Sequence, residues 1–227
     1  MIMKNSIFIN SEQSPFSEEE CNIHFWKKSS NASLIGEGRS QVYLIEKENK
    51  KYVIKDYYRG GKLRSLLKKN YLYTGLARVR PLLEWSLMLK LLEGGIQIAR
   101  PIAVHVRRFG IFYQASLITE YIPNTHTLES YLLRGSLDIE IIQAIGKEIK
   151  RLHELSVTHP DINTKNILID KSHRVFLIDF DKSKESQNTF RFNQDVLRLI
   201  RSIQKLNLED FEAIKFNIYK GYEGQSN

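Results

Sequence analysis

Two short apolar runs constrain this chain more than any other feature. Asn166-Ile167-Leu168-Ile169 and Val175-Phe176-Leu177-Ile178 flank a polar turn at Lys171-Ser172-His173. Short β-branched runs bounded by turn formers read as a β-hairpin. A turn centred between Ser172 and His173 places Asn166 opposite Asp179, with Asp161 in the polar stretch just before the hairpin. Register errors of one residue are the weak point of such a placement. Two oxygen-bearing side chains at one open end of a hairpin, with a third nearby, suit a hard cation. Mg²⁺ takes carboxylate and amide oxygens together with phosphate oxygens, not thiols or a histidine cluster.

The rest of the chain organises around that hairpin. Residues 1–32 read as an N-terminal lead-in, polar and acidic at Glu12, Glu18, Glu19 and Glu20. From residue 33 the pattern is β-like: Leu34-Ile35, a glycine turn at Gly36-Glu37-Gly38, Val42 to Ile45, a polar turn at Glu46 to Lys50, then Tyr52 to Lys55. Leu63, Leu66, Leu67 and Tyr71 fall on one helical face over 62–72. A second helix fits 81–93, with Pro81 at its start and Gly94-Gly95 as its stop. Strand character returns at 101–106 and 111–122, split by Arg107-Arg108-Phe109-Gly110. A helix covers 138–156, and 193–220 is helical. The fold class is therefore α+β, with a β-rich N-lobe over 33–122 and a helical C-lobe over 123–227.

Composition closes several doors. Hydrophobic residues make up 42% and charged residues 26% of the 227, an ordinary globular balance that excludes wholesale disorder. One cysteine, Cys21, forms no internal disulfide, which points to a reducing compartment. No uncharged apolar run reaches the ~20 residues needed to span a bilayer. Met1 to Asn10 has no adequate apolar segment for a signal peptide, so a cytoplasmic-side location is expected.

Three further residue groups carry chemistry only when taken together. Gly36 and Gly38 would let backbone amides approach phosphate, although a plain hairpin turn uses the same glycines. Lys55 ends a V-I-K strand. Glu84 lies on the following helix among Leu82, Leu83, Leu87 and Met88, where it could pair with Lys55 or face solvent. The order is a glycine turn, a strand lysine, a helix glutamate, His159-Pro160-Asp161 with Asn166, and Asp179-Phe180-Asp181. It resembles the protein-kinase-like two-lobe fold over about residues 33–205. The resemblance implies that Lys55 holds the α and β phosphates of ATP and that Glu84 fixes Lys55. Asn166 and Asp179 would ligate Mg²⁺, Asp161 would receive the acceptor hydroxyl's proton, and backbone groups from Glu120 to Ile122 would meet the adenine. His159 would pack beneath the loop. Asp195 would either brace the loop or act as an ordinary helix N-terminal acid.

Several departures separate the chain from protein kinases. Asp181 stands where the glycine of D-F-G would be, no A-P-E follows, and 48 residues follow Asp179. A minimal C-lobe of this kind is typical of small-molecule and glycolipid kinases. The formal charge of +8 is also localised. Residues 57–80 carry seven basic residues, among them Arg59, Lys62, Arg64, Lys68 and Lys69, and no acidic ones; elsewhere 27 basic face 26 acidic. A basic amphipathic helix with tyrosines suits an anionic membrane surface, at about 1 kcal/mol per basic residue near it. A core-packed helix with a solvated charged face carries the same residues. The R-G-G after the strand lysine, YLYTGLARVRPLLEW, HPDINTKNILID and LIDFDKS resemble the 3-deoxy-D-manno-octulosonic acid (Kdo) kinases of Gram-negative bacteria. That family implies ATP-dependent phosphorylation of the Kdo sugar on a lipid A precursor, at the 4-hydroxyl. It also implies a peripheral protein on the cytoplasmic face of the inner membrane; no obligate protein partner is evident in the sequence.

Rival readings stay open at this point. A heptose kinase of the same lipopolysaccharide core shares the motifs. A nucleic-acid-binding module would use the basic residues with Tyr57, Tyr58, Tyr71 and Tyr73, but leaves Asp161, Asn166 and Asp179 unexplained. A kinase-like binding protein without catalysis would be expected to lack the lysine or one of the aspartates, and all are present.

Overall fold

The computed structural model describes residues 6–12, 14–28, 31–37, 40–57, 71–135 and 138–224. In chain order the first elements are β1 (Ser6–Asn10), α1 (Ile23–Trp26), β2 (Ala32–Glu37), β3 (Ser40–Lys47), β4 (Lys50–Tyr57) and β5 (Tyr71–Leu72). Next come α2 (Arg80–Glu93), β6 (Pro101–Phe109), β7 (Phe112–Glu120), β8 (Thr125–Thr127), α3 (Leu128–Leu133) and α4 (Ile139–Glu154). The chain continues through β9 (Val157–Thr158), β10 (Ile167–Asp170), β11 (Val175–Leu177), β12 (Lys184–Glu185), α5 (Thr189–Gln204) and α6 (Phe211–Glu223). It is an α+β chain with two compact units, Met1–Ser86 with Arg100–Tyr121 and Leu87–Ala99 with Ile122–Asn227.

The first unit is an antiparallel sheet ordered β1-β6-β7-β4-β3-β2, with β5 also paired to β7. Alternation builds it: along β4, Tyr52 and Ile54 are buried and Lys51 and Val53 are not. The β3–β4 hairpin closes through Glu48 and Asn49, both in the left-handed region that a two-residue turn of matching twist requires. The β6–β7 hairpin turns at Gly110-Ile111, so the turn expected at 107–110 lies later; β6 continues through Phe109, which pairs with Phe112.

The lead-in reading of residues 1–32 is corrected. β1 pairs with β6 along its whole length. Phe16, Cys21, Ile23 and Trp26 sit in one core with Tyr43, Ile45, Tyr52, Ile54, Ile102 and Ile118. Their apolar contribution is masked in sequence by the acidic run, which has its own use: Glu20 binds Lys47 at 2.6 Å. Burial pushes the Cys21 thiol up to about 12, so it serves as a small core residue.

The helix expected over 62–72 lies outside the described residues except for its last two positions. Those two, Tyr71 and Leu72, form β5 instead, and Tyr71 stacks on Tyr113 at 5.3 Å. The helix expected over 81–93 is α2, one residue longer. It stops as its glycines demand: Gly95 adopts φ 75, and the Gly95 and Ile96 amides donate to Leu92 O and Leu91 O.

In the second unit, α4 is capped by Asp138, which accepts from Glu140 N and Ile141 N. Its Ile141, Ile142, Ile145, Ile149 and Leu152 face the core. Gly146 and Gly221 let α4 and α6 meet backbone to backbone. A Cβ at either would lie 2.2 Å from Ile218 O or 2.0 Å from Gln143 O. The single helical stretch expected over 193–220 is two helices, α5 and α6. The break comes where Asn207 turns left-handed at φ 52 and its amide closes on Gln204 O. Among the described residues, no helix is long and apolar enough to cross a membrane.

Candidate active site

In the first unit Lys55 lies on β4, opposite Val42 of β3 and Leu117 of β7. Its Nζ sits 3.3 Å from both carboxylate oxygens of Glu84 on α2. Glu84 is 4% exposed. Two residues on, Tyr57 shares the face of Lys55; its hydroxyl donates to Glu84 Oε2, and its ring lies 5.1 Å below the lysine ammonium. Tyr57 is a site residue that the motif reading missed. The signal was its i+2 spacing from Lys55 along a strand.

Gly36 is not in the turn expected for it. It pairs with Val42 inside β2, beside a register shift, and a Cβ there would meet only an ordinary 3.5 Å contact. Gly38 lies outside the described residues, as do Arg59, Lys62, Arg64, Lys68 and Lys69. Glu120 closes β7, its amide donating to Arg100 O, and its side chain is 3.9 Å from Arg100. Ile122 O, in the second unit, accepts from Thr125 Oγ1 at 3.0 Å.

The second unit carries the loop and hairpin. The observed pairs are Ile167 with Leu177, Leu168 with Phe176 and Ile169 with Val175. The register is therefore one residue away from the one expected, and Asn166 faces Ile178, whose amide donates to Asn166 O at 3.0 Å. The cause is a three-residue loop, Lys171-Ser172-His173, closed by Asp170 N to Arg174 O with His173 left-handed at φ 62. Asp170 stabilises it by accepting from the Ser172 and Arg174 amides and the Arg174 side chain. Asp179 follows Ile178 directly, in the left-handed region at φ 65. The hairpin still gathers these donors at one end, but by succession rather than by cross-strand pairing.

The loop itself is tied by hydrogen bonds at nearly every residue. Asn166 Nδ2 and Asn163 Nδ2 both donate to Asp161 O, at 2.9 and 2.7 Å. Thr164 N donates to Ser202 Oγ on α5. His159 is fully buried, its Nε2 lies 3.0 Å from Ile178 O, and its ring packs 5.0 Å from Phe180. Burial holds its pKa below the ordinary histidine value, so the neutral ring donates from Nε2. Asp195 on α5 is 1% exposed and accepts from His159 N at 2.6 Å and from Arg198 at 2.8 Å. Of the two readings for Asp195, the brace is the one observed.

The donor set fits a hard cation. Asn166 spends its amide nitrogen on Asp161 O, which leaves its Oδ1 as the atom able to serve as an oxygen donor. Together with Asp179 that makes two protein oxygens, the small number Mg²⁺ takes when phosphates and water complete its shell. No group of three His, Cys, Asp or Glu side chains poised for a metal occurs among the described residues.

The first unit holds a lysine tied to a buried glutamate, and the second holds a braced aspartate loop and an asparagine–aspartate pair; phosphoryl transfer uses these residue types. The model of the lipopolysaccharide kinase (Kdo/WaaP) family matches residues 23–222. The chain belongs to this family. It is a kinase, a phosphotransferase of lipopolysaccharide synthesis that uses ATP. The lipopolysaccharide-kinase match begins at Ile23 of α1, ahead of residue 33, where the sequence reading began its resemblance. Among relatives, the chain is 35% identical to a 3-deoxy-D-manno-octulosonic acid kinase of Vibrio parahaemolyticus, over 80% of this chain and 76% of the other. It is 32% identical to one from Vibrio cholerae, over 82% and 79%. It is 30% identical to one from Mannheimia succiniciproducens, over 96% and 95%.

Proposed function

We propose that this lipopolysaccharide kinase transfers the γ-phosphate of ATP to the 4-hydroxyl of the Kdo sugar on a lipid A precursor. The observation that carries the reading is the braced loop: Asp161 is held through its backbone oxygen by Asn163 and Asn166, which leaves its carboxylate facing outward, 42% exposed. Relatives of the same name, aligned over most of both chains, support the choice of sugar.

Each residue has one task. Lys55, fixed by Glu84 and Tyr57, neutralises the α and β phosphates. Asn166 Oδ1 and Asp179 would hold Mg²⁺, which supplies charge neutralisation at the phosphates. Asp161 orients the acceptor hydroxyl in line with the γ-phosphorus. The hydroxyl oxygen bonds to phosphorus, the bond to the β-phosphate oxygen breaks, ADP leaves, and the hydroxyl proton passes to the Asp161 carboxylate. Backbone groups of Glu120 to Ile122 would meet the adenine, and the backbone amides of Gly36 and Gly38 would approach the phosphates.

The setting follows from the acceptor, a phosphorylated and acylated saccharide at the cytoplasmic face of the inner membrane. Arg59, Lys62, Arg64, Lys68 and Lys69 would meet its anionic surface. Neutralising Lys62, Arg64, Lys68 and Lys69 together is expected to weaken binding to anionic liposomes, with ATP affinity kept. Liposome binding by both forms alike would remove these residues from that role.

The acceptor is tested by incubating the purified protein with ATP, Mg²⁺ and either a Kdo-bearing lipid A precursor or a heptosylated core, followed by mass spectrometry. One added phosphate on the Kdo-bearing precursor is expected. Transfer to the heptosylated core alone would make the protein a heptose kinase of the same family.

A further inference from the structure

The Asp161 carboxylate is held by the lysine of LIDFDKS, a residue to which the kinase-like pattern gives no role. Lys182 Nζ lies 2.6 Å from Asp161 Oδ2. The two residues are brought together by a short ribbon. β9 and β12 pair antiparallel, Thr158 with Lys184 and Val157 with Glu185, and Thr158 Oγ1 also donates to Lys184 O. Continued toward the loop, that register brings Pro160 opposite Lys182. The lysine's own backbone is fixed from its other side: Ser183 N donates to Phe180 O at 2.9 Å, and Phe180 is 1% exposed beneath His159. Both ends of the pair therefore start from anchored backbone.

The loop's internal lysine does not compete for this place. Lys165 is 72% exposed and faces Glu129 at 3.6 Å. Lys182 engages only Oδ2 of Asp161, and Oδ1 accepts no hydrogen bond among the described residues. The terminal torsion of an aspartate is broad and two-fold, so a carboxylate without a partner divides its time among orientations.

We propose that Lys182 is a positioning residue for phosphoryl transfer: its ammonium fixes one oxygen of Asp161 so that the other meets the acceptor hydroxyl. This rests on the reading of Asp161 as the proton acceptor. Lys182 thereby supplies orientation to the base, which is one of the larger contributions available to a transfer with little covalent chemistry of its own.

The test is a double-mutant cycle on the full chain, with ATP, Mg²⁺ and the Kdo-bearing lipid A precursor, read by mass spectrometry over incubations long enough to resolve residual transfer. Lys182→Met is expected to lower kcat about 10- to 100-fold with the KM for ATP within about 3-fold of wild type. Lys182→Arg should recover most of the rate. In an Asp161→Asn background, Lys182→Met should cost nothing further, because its effect runs through the carboxylate. A merely structural lysine would cost the same in both backgrounds. The proposal is overturned if Lys182→Met keeps wild-type kcat, if its loss appears in the KM for ATP, or if the loss persists undiminished beside Asp161→Asn. Wild-type activity in Asp161→Asn alone is a different result and would sink the assignment of Asp161 itself.

Discussion

Each of the two units holds a lysine–carboxylate pair among its candidate site residues, and the two are built in opposite ways. Lys55 and Glu84 meet at 3.3 Å with side chains 13% and 4% exposed, one on a central strand and one on a helix. Lys182 and Asp161 meet at 2.6 Å with side chains 33% and 42% exposed, both on short connections. The shorter pair is the weaker in stability, because burial and not distance sets what breaking a pair costs. The buried pair is part of the fold and positions by rigidity. The exposed pair leaves room for a substrate hydroxyl to join it.

Removing Glu84 should break this contrast most visibly. Glu84→Ala takes away the carboxylate in front of a buried ammonium, a change worth about 3 kcal/mol or more. Chemical denaturation should show that loss together with weakened ATP binding. An unchanged unfolding midpoint would mean that the pair is as loosely held as the exposed one. Tyr57→Phe should follow at about 2 kcal/mol, the loss of one hydrogen bond to a charged group, with a modest rise in the KM for ATP. Full stability in that variant would reduce Tyr57 to packing. Lys182→Met should come last, within about 1 kcal/mol of wild type in stability, since partly exposed pairs contribute little. A larger loss would place Lys182 among the structural lysines.

The two pairs also differ in how far the sequence reveals them. Lys55 and Glu84 sit on a strand and a helix whose periodicity places both elements, and the ordered pattern of motifs, not either residue alone, suggests that they meet. Asp161, Asn166 and Asp179 are legible by spacing around an apolar hairpin, although the register was displaced by one residue. His173 in the left-handed region makes a three-residue loop, and histidine gives no glycine-like signal for that geometry. Lys182 was not legible as a partner of Asp161. The ribbon that joins them is two residues long on each side, too short for any alternation to register. The same limit hid the N-terminal segment, where β1 and the four-residue α1 are brief and Glu18, Glu19 and Glu20 separate Phe16 from Cys21, Ile23 and Trp26.

Single-turnover transfer to the Kdo-bearing lipid A precursor, measured beside ATP binding for wild type and Asp161→Asn, tests the central claim most directly. The account expects ATP affinity within about 3-fold and transfer slowed by at least about 10²-fold, with the wild-type phosphate located on the Kdo ring by fragmentation. Transfer by Asp161→Asn at the wild-type rate, or a phosphate located elsewhere on the acceptor, would contradict it.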